Sequence, residues 1–542
     1  MQLLIIGLDG ATLDLIKPWA AEGKLPALAR LMQSGASGPL ESTLPPVTSP
    51  AWPSFMTGKN PGKHGVFDFI RPRAGAFEMV NASQIDGKLV WEILSDAGCS
   101  VGVLNVPITY PPRQVNGYMV PGLLSPDQGV STYPADLLKS YRAELGRYRI
   151  TPDVQFSPGQ EDEFIADIHD LIDAQLRYAL LLAKDRPTDV LMMHFLASDN
   201  ASHALWRYMD TTHPRYAASL SARYGAALLM VYQHLDTAVQ LLTSNVQPHN
   251  TVVMSDHGFG PLHRTVNLNM LFLEAGLMHL KPKALTRLRY ALFKRGLTPR
   301  GVYRLLEKLG LQNLTAKVSR QARNQVVGKF LSFEDVDWAR TMCYSMGHVG
   351  QVYLNLKGRE PEGSVEPNDY LAARQKVIDA LTALRDPATG RPLVDRIIPR
   401  EEAASGPYLD RAPDLHLILD AYRAIAFPLF AADGQVISQQ IRGDSGCHRL
   451  HGVFVASGPA FARGAVEGAR IIDLAPTLLH VLGVPVPADM DGRVLVEVLA
   501  PELRARAVTT AEAPGHAAAQ VDFTADEQAE VEERLRALGY LG

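Results

Sequence analysis

The sequence predicts an α/β fold in which a mostly parallel β-sheet is flanked by helices. Six short apolar runs end in small or acidic residues, and helical stretches lie between them. The runs are continuously apolar rather than alternating, which indicates strands buried on both faces. Regular alternation of such strands with helices is typical of parallel sheets. Binding sites in these sheets form at the carboxyl ends of the strands, so polar residues there are the first candidates for function.

The first predicted strand covers 3–9 and reads LLIIGLD, which places Asp9 at its carboxyl end. The other predicted strands cover 101–107, 189–199, 251–258, 414–420 and 452–458. The predicted helices between them cover 24–34, 89–97, 163–184, 217–243 and 371–384. This order predicts strand–helix–strand units along most of the chain, with Asp199, Asp256 and His257 also near strand ends.

At 542 residues the chain is longer than one simple domain, and its content of 46% hydrophobic and 20% charged residues is typical of a globular protein. Its three cysteines imply no disulfide framework and fit a reducing compartment. The N-terminus lacks a basic region before its short apolar run, and no apolar run of roughly 18 residues occurs. We therefore expect a cytoplasmic protein without a membrane span.

Two stretches interrupt the order of strands and helices. Residues 124–185 are helical with mixed charge, and 267–345 are predicted to form a helical cap. Between 281 and 329 there are thirteen Lys or Arg residues and one acidic residue, a net charge of +12 in a chain whose total is −4. This segment is either a solvated basic face or a binding surface. As a binding surface it would attract an acidic partner or anionic lipid, and with lipid the protein would be peripheral at a membrane. Nucleic acid is disfavoured because aromatic residues are sparse and no binding motif is present.

A candidate nucleophile lies in the stretch 44–65, LPPVTSPAWPSFMTGKNPGKHG. Prolines stiffen its approach, Thr48 and Ser49 stand side by side, and a helix is predicted over 51–57. Hydroxyls at a helix N-terminus lie where backbone N–H groups and the helix dipole favour an anion, which suits attack on phosphorus. The same pattern is also common as a helix N-cap. The hydroxyl pair therefore gains meaning only together with acidic and imidazole groups elsewhere.

Four separated clusters supply such groups. They are GLDG with Asp9, SDNASH with Asp199 and His203, SDHG with Asp256 and His257, and SGCHRLHG with His448. Each cluster alone has a structural explanation, such as a turn residue or an exposed i,i+4 pair on a helix. In the fourth cluster, His451 is an alternative to His448 as the candidate ligand. Together, carboxylate oxygens and imidazole nitrogens suit zinc or another divalent ion. Two such ions about 4 Å apart form a clamp for phosphoryl displacement and would help a Thr hydroxyl to react.

The ordered motifs GLDG, VTSPAWPSFMTGKNPGKHG, SDNASH, MSDHG and GCHRLHGVFVASGP resemble those of the alkaline phosphatase superfamily. The resemblance is to the type I phosphodiesterase/nucleotide pyrophosphatase-like branch, in the bacterial group described as predicted phosphohydrolases or phosphomutases. It covers roughly residues 1–500. It implies an alkaline phosphatase-like layered fold. The catalytic core would cover 1–266 and 346–500, with the helical insert at about 124–185. A basic helical cap would cover 267–345, and a C-terminal tail would cover 501–542, with a short helix near 527–538.

The resemblance also implies two metal ions and a threonine nucleophile. The ligands of one metal would be Asp199, His203 and His448, and those of the other Asp9, Asp256 and His257. Thr48 would bridge towards the metals, attack phosphorus and form a covalent phospho- or nucleotidyl-threonine, which water would hydrolyse with inversion at each step. The ions implied are zinc, with manganese as the alternative.

One departure from the family pattern concerns phosphate binding. Similar nucleotide pyrophosphatases carry an Asn shortly after the HG pair, and Phe69 stands there in this chain. By chemistry alone, the candidates for the missing phosphate-oxygen donor are Asn105, His348, Lys357 and Arg359. The sulfatase branch is excluded because no C/S-x-P-x-R context surrounds Thr48. The Thr and its short spacing from Asp9 argue against the phosphoglycerate mutase-like branch.

These motifs predict a two-metal phosphohydrolase that acts on a phosphate ester, and the resemblance, with Thr rather than Ser as the implied nucleophile, implies a phosphodiesterase rather than a monoesterase. Transfer of the phospho group to an acceptor alcohol, or hydrolysis of monoesters, would use the same residues. A non-catalytic binding protein is the third class, and the intact ligand set argues against it. The sequence leaves open the natural substrate and the oligomeric state.

Overall fold

The structure, a computed structural model, describes residues 1–73, 76–126, 131–295, 332–347, 349–426, 430, 435–438, 444–513, 515 and 521–537. Two of the sequence predictions concern residues outside these ranges. They are the phosphate-binding role of His348 and most of the basic segment 281–329, of which the structure describes 281–295.

The strands, in chain order, are β1 (Leu3–Leu8), β2 (Ala36–Glu41), β3 (Ile70–Arg73), β4 (Ala76–Met79), β5 (Val101–Leu104), β6 (Gly117–Val120), β7 (Val190–Phe195), β8 (Asn250–Met254), β9 (Gly258–Pro261), β10 (Arg264–Val266), β11 (Cys343–Ser345), β12 (Gln351–Leu354), β13 (Val394–Pro399), β14 (Leu415–Leu419), β15 (Ala424–Ala426), β16 (Ile437–Ser438), β17 (Gly446–Arg449), β18 (His451–Ser457), β19 (Gly464–Ala465), β20 (Ala469–Arg470), β21 (Val486–Pro487) and β22 (Thr510–Ala511).

The α-helices are α1 (Leu13–Ala21), α2 (Pro26–Ser34), α3 (Thr48–Thr57), α4 (Pro61–His64), α5 (Val90–Asp96), α6 (Lys139–Leu145), α7 (Glu161–Asp185), α8 (Ala197–Met209), α9 (Ala218–Tyr224), α10 (Ala227–Val246), α11 (Leu268–Glu274), α12 (Ala284–Lys294), α13 (Tyr370–Thr382), α14 (Arg400–Ala403), α15 (Leu474–Val481), α16 (Pro501–Ala505) and α17 (Ala525–Ala537). Within the described ranges, no helix combines the length and the apolar character that a bilayer crossing requires.

The main sheet runs in the order β19-β2-β18-β8-β1-β7-β5-β6, and β20 also pairs with β2. β1 pairs in parallel with β7 on one side and with β8 on the other. β5 pairs in parallel with β7 and β6, whereas β18 is antiparallel to β2 and β8. The predicted α/β fold with a central, mostly parallel sheet flanked by helices is therefore confirmed.

The two faces of the main sheet carry separate hydrophobic cores, because successive residues of a strand point to opposite faces. Leu3 and Ile5 of β1 belong to one core, which also contains Trp52 of α3. Leu4 and Ile6 belong to the other core, which contains the buried faces of α7, α8 and α10. Burial on both faces explains why β1 is apolar at every position.

All six predicted strands are present, with ends shifted by a few residues. The predicted strand 414–420 forms β14, but β14 belongs to a separate antiparallel sheet, β11-β12-β14-β13. The predicted helix 217–243 is two helices, α9 and α10, and α9 ends at Tyr224, directly before Gly225. Glycine is unfavourable in a helix interior because it loses the most backbone entropy, which is consistent with a break there. The division into core, insert, cap and tail stays a prediction.

Candidate metal centre and nucleophile

The three acidic residues of the predicted clusters lie at one end of the main sheet. Asp9 follows the last residue of β1, and Asp256 comes two residues after β8. The chain passes from β7 into α8, whose first turn carries Asp199. β8, β1 and β7 are adjacent and parallel, so their carboxyl ends bring the three carboxylates together. This is where open parallel sheets place their binding sites.

The first group of candidate ligands contains Asp199, His203 and His448. One turn of α8 separates Asp199 from His203, and Asp199 Oδ1 lies 3.6 Å from His203 Nε2. His448 lies on β17, and its Nε2 is 3.3 Å from Asp199 Oδ1 and 3.0 Å from His203 Nε2. His451, the alternative to His448 in the sequence, is exposed at the start of β18. The structure therefore brings together the three residues that the resemblance implies for one metal.

The second group contains Asp9, Asp256 and His257, which are all fully buried. His257 Nε2 lies 3.4 Å from Asp256 Oδ2 and 3.7 Å from Asp9 Oδ1. The ring of His257 also stacks on His448, with centroids 3.8 Å apart. Ligand atoms of His257, His448 and Asp199 all lie within 4.8 Å of one another, as do those of Asp9, Asp256 and His257. His257 is thus common to both sets.

The three imidazoles share one hydrogen-bonding arrangement. In each ring, Nδ1 faces a backbone carbonyl oxygen at 3.0–3.1 Å, and the pairs are His203 with Gly446, His257 with Gly258 and His448 with Pro46. A carbonyl oxygen only accepts, so Nδ1 is the donor in each contact and Nε2 is the nitrogen that a neutral ring would offer to a cation. Proteins present histidine to metal ions in this way.

Two carboxylates are arranged in a corresponding way. Asp9 Oδ2 accepts hydrogen bonds from His194 Nε2 at 2.8 Å and from Trp52 Nε1 at 3.2 Å. Asp256 Oδ1 accepts one from the Gly10 backbone N–H at 3.2 Å. The remaining oxygens, Asp9 Oδ1 and Asp256 Oδ2, are buried and accept no hydrogen bond from the described residues. Such oxygens are costly to bury, and a cation beside them would offset that cost.

Burial and mutual repulsion set the protonation of these groups. Burial, and then the charges of the other two acids, raise the pKa of Asp9 well above its usual range, and burial also raises the pKa of Asp256. Burial acts in the same direction on Asp199, but His203 and His448 outweigh it and hold its pKa below the usual range. Burial is the main cause that lowers the pKa of His448 to about 3. Divalent cations bound here would stabilise the ionised form of the three carboxyl groups and the neutral form of the imidazoles, because positive charge favours anions and disfavours imidazolium.

Thr48 is the first residue of α3 and is fully buried. The helix begins three residues earlier than the predicted 51–57, because Pro50 falls in the first turn, where its missing N–H is not needed. Thr48 Oγ1 lies 3.4 Å from His257 Nε2. The hydroxyl therefore faces the two ligand groups from a helix N-terminus, where the dipole favours an anion. The neighbouring Ser49 Oγ is buried and makes no hydrogen bond with the described residues.

Lys357 and Arg359, which are candidates for phosphate binding, pair with acids that belong to neither ligand group. Arg359 Nη2 lies 2.6 Å from Asp414 Oδ2, and Lys357 pairs with Glu366. Phe69, which stands where the resemblance predicts an Asn, is buried in a hydrophobic core. The substrate role of Lys357 and Arg359 stays a prediction, and these contacts give it no support.

Sequence reasoning missed His194 and Trp52, which contact Asp9. His194 lies within the apolar run of β7, where an imidazole has no apparent partner in the sequence, and this isolated polar residue is the signal that was available. Asn105, predicted as a phosphate donor, uses its Nδ2 to donate to the His194 carbonyl oxygen at 3.1 Å. Its substrate role also stays a prediction.

Comparison with solved structures identifies the fold. Phosphonoacetate hydrolase from Sinorhizobium meliloti 1021, in complex with phosphonoacetate, is similar at 15% identity and a TM-score of 0.51, over 88% of this chain and 94% of that one. Human ectonucleotide pyrophosphatase/phosphodiesterase 5 aligns at 13% identity and a TM-score of 0.49, over 92% of this chain and 100% of that one. No curated protein matches the sequence.

A match to a protein-family model identifies the class of protein: the chain is a phosphoric ester hydrolase. Within this class, the chain belongs to the type I phosphodiesterase / nucleotide pyrophosphatase family, whose sequence model matches residues 3–426. The matched range includes Thr48 and all the candidate ligands except His448. His448 joins them because β17 pairs with β9.

Proposed function

We propose that this chain is a two-metal phosphohydrolase that cleaves phosphodiesters with Thr48 as its nucleophile. One observation carries the proposal: the donor atoms beside Thr48 are arranged to bind cations. Three imidazoles place Nδ1 against backbone carbonyl oxygens and turn Nε2 towards the acids, and two buried carboxylate oxygens accept no hydrogen bond from the described residues. The preference for diesters follows from the family and from the Thr nucleophile.

The donor set fits two divalent cations. The ligands of one would be Asp199, His203 and His448, and those of the other Asp9, Asp256 and His257. A mixture of imidazole nitrogen and carboxylate oxygen suits zinc, with manganese as the alternative. When bound, the ions would supply positive charge for the phosphoryl oxygens and would favour the ionised Thr48 hydroxyl.

The reaction then takes two steps, and in each step one bond to phosphorus forms and one breaks. Oγ1 forms a bond to phosphorus while the bond from phosphorus to one ester oxygen breaks; the threonine hydroxyl loses a proton, and the departing alcohol gains one. The N-terminus of α3 stabilises the negative phosphoryl group. Water next attacks phosphorus, the bond to Oγ1 breaks, and Thr48 regains its proton.

Thr48→Ala tests this proposal, with Ser49→Ala as the matched control. Turnover of bis-p-nitrophenyl phosphate should fall by a factor on the order of 10³ or more in Thr48→Ala. Both variants should still bind two metal ions, because the Asp and His ligands are unchanged. Retained turnover in Thr48→Ala, or a comparable loss in Ser49→Ala, would show that Thr48 is not the nucleophile.

We further propose that α12 contacts an anionic lipid surface. Leu285 and Leu288 are 58% and 55% exposed, and the exposed residues around them include Lys283, Arg287 and Lys294. Exposed leucines flanked by cations are typical of helices that lie in the interface of a bilayer. A membrane surface would bring a large phosphodiester, such as a phospholipid, close to the protein.

Co-sedimentation with vesicles of anionic phospholipid tests this surface. The double variant Leu285→Ser/Leu288→Ser should bind vesicles more weakly than the wild type at low salt. Leu371→Ser, which removes a leucine that is 67% exposed on α13, should bind like the wild type. A wild-type protein that stays in the supernatant would contradict the lipid proposal and leave the hydrolase proposal unaffected.

A further inference from the structure

The carboxylate of Asp9 is held on one side by two buried ring donors. His194 Nε2 and Trp52 Nε1 both lie within hydrogen-bond distance of Oδ2, at 2.8 Å and 3.2 Å. Trp52 can only donate through this atom, and an ionised carboxylate can only accept. Oδ2 is therefore occupied by two donors, and Oδ1 is the oxygen that remains for another partner.

We propose that His194 and Trp52 are positioning residues that turn Asp9 Oδ1 towards the metal shared with Asp256 and His257. The inference rests on the proposed two-metal function, and it assigns roles to two side chains that are not among its ligands. His257 Nε2 lies on the Oδ1 side, 3.7 Å away. Rotation of the carboxylate plane away from this orientation would break the two hydrogen bonds, so the N–H groups keep the other oxygen directed towards His257.

The two donor rings are themselves fixed in place. They meet edge to face, with centroids 4.8 Å apart. His194 lies opposite Gly7 in the β1–β7 register. A Cβ on Gly7 would lie 2.8 Å from Trp52 Cη2 and 3.2 Å from His194 Cδ2, so the rings occupy the space that a side chain at position 7 would need.

The backbone at His194 is also anchored. Asn105 directly follows β5, has a φ of +62° and donates from Nδ2 to the His194 carbonyl oxygen at 3.1 Å. The contacts thus form a chain across three neighbouring strand ends, from Asn105 through His194 to Asp9. A hydrogen-bond chain between buried groups restricts each member more than isolated contacts would.

Zinc affinity, measured by competition with a chromophoric chelator, tests the positioning role apart from catalysis. His194→Phe keeps the ring but removes the donor, and Trp52→Phe removes the second donor. Loss of a hydrogen-bond partner of a metal ligand typically costs 10- to 100-fold in metal affinity. We expect His194→Phe to weaken one of the two zinc sites by about that factor and to leave the other unchanged. His194→Gln, which places an N–H near the same point, should restore most of the affinity.

His416→Phe is the matched control, because His416 is a buried histidine on β14, outside the main sheet. The His416→Phe protein should bind zinc at both sites with the affinities of the wild type. Combining His194→Phe with Asp256→Asn should add little to the loss caused by Asp256→Asn alone, since both act on one site. Combining it with His448→Ala should weaken both sites.

Three results would overturn the positioning role. They are unchanged zinc affinities in both His194→Phe and Trp52→Phe, equal weakening of both sites, and a Gln variant as weak as the Phe variant. If His194→Phe does not fold, Trp52→Phe carries the test alone, with a smaller expected loss because its hydrogen bond is longer. A wild-type protein that binds no zinc or manganese would overturn the two-metal proposal itself, and with it the positioning role.

Discussion

Replacing Asp256 with Asn should separate metal binding from folding. Asn has nearly the same shape, and its Oδ1 can still accept the hydrogen bond from Gly10, which spans 3.2 Å. The substitution removes the negative charge that Oδ2 presents 3.4 Å from His257 Nε2. We therefore expect a folded protein that has lost one of its two metal sites.

The expected magnitude follows from the linkage between zinc binding and folding. At a free zinc concentration 100-fold above Kd, one bound ion raises the free energy of unfolding by about 2.7 kcal/mol. Asp256→Asn should lose this gain at one site. Without zinc the effect is reversed: because burial raises the pKa of Asp256, its ionised form costs stability as pH rises above the unfolded pKa, and Asn removes that cost.

Urea unfolding at about pH 8, with and without a fixed free zinc concentration, measures both effects. Zinc-free Asp256→Asn should be at least as stable as the zinc-free wild type, and its zinc-dependent gain should be smaller by about 2.7 kcal/mol. Asp68→Asn is the control, since Asp68 is a buried acid outside both ligand groups, and its zinc-dependent gain should be that of the wild type. An Asp256→Asn protein that keeps the full gain would refute the ligand assignment.

The remaining predictions concern pH, packing and metal removal. Burial raises the pKa of Asp68 to about 6, so its ionisation should cost about 3 kcal/mol above pH 6 and nothing below about pH 4. In Asp68→Asn, the side-chain amide of Gln351 can flip so that its oxygen accepts a hydrogen bond from the new amide. This variant should therefore be more stable than the wild type in urea at about pH 8 and equal to it at about pH 4. Gly7→Ala should lower the free energy of unfolding by about 1–3 kcal/mol, because its Cβ would meet the Trp52 ring, and calorimetry would detect the lower Tm. Removing metal with a chelator should abolish turnover of bis-p-nitrophenyl phosphate, and zinc or manganese should restore it; activity that survives in metal-free protein would contradict the metal requirement.

The sequence was informative wherever a residue's role depends on its own strand or helix. Asp9 and Asp256 follow apolar runs that can only be buried strands, and the rule for parallel sheets then places both acids at one edge. Asp199 and His203 are one helical turn apart, so their proximity is local. The start of α3 was harder to predict, because Pro50 is as compatible with the first turn of a helix as with the residue before it.

Contacts between distant residues were not predictable in the same way. His194 meets Asp9 only because β7 pairs with β1 in one register, and a shift of one residue would turn its side chain to the other face. Arg359 has the charge expected of a phosphate ligand, but its partner is Asp414, 55 residues later in the chain. Residue chemistry drew attention to Arg359 and not to His194, and for both side chains the tertiary fold decided what each one contacts.

The covalent intermediate offers the most direct test of the central claim, that Thr48 attacks phosphorus. Protein mixed with bis-p-nitrophenyl phosphate, quenched in acid within one turnover and digested should yield a peptide that carries a p-nitrophenyl phosphoryl group. We predict that tandem mass spectrometry will locate this group on Thr48 in the wild type and will find none in Thr48→Ala. The same group on Ser49, or turnover with no labelled peptide at any quench time, would contradict the mechanism.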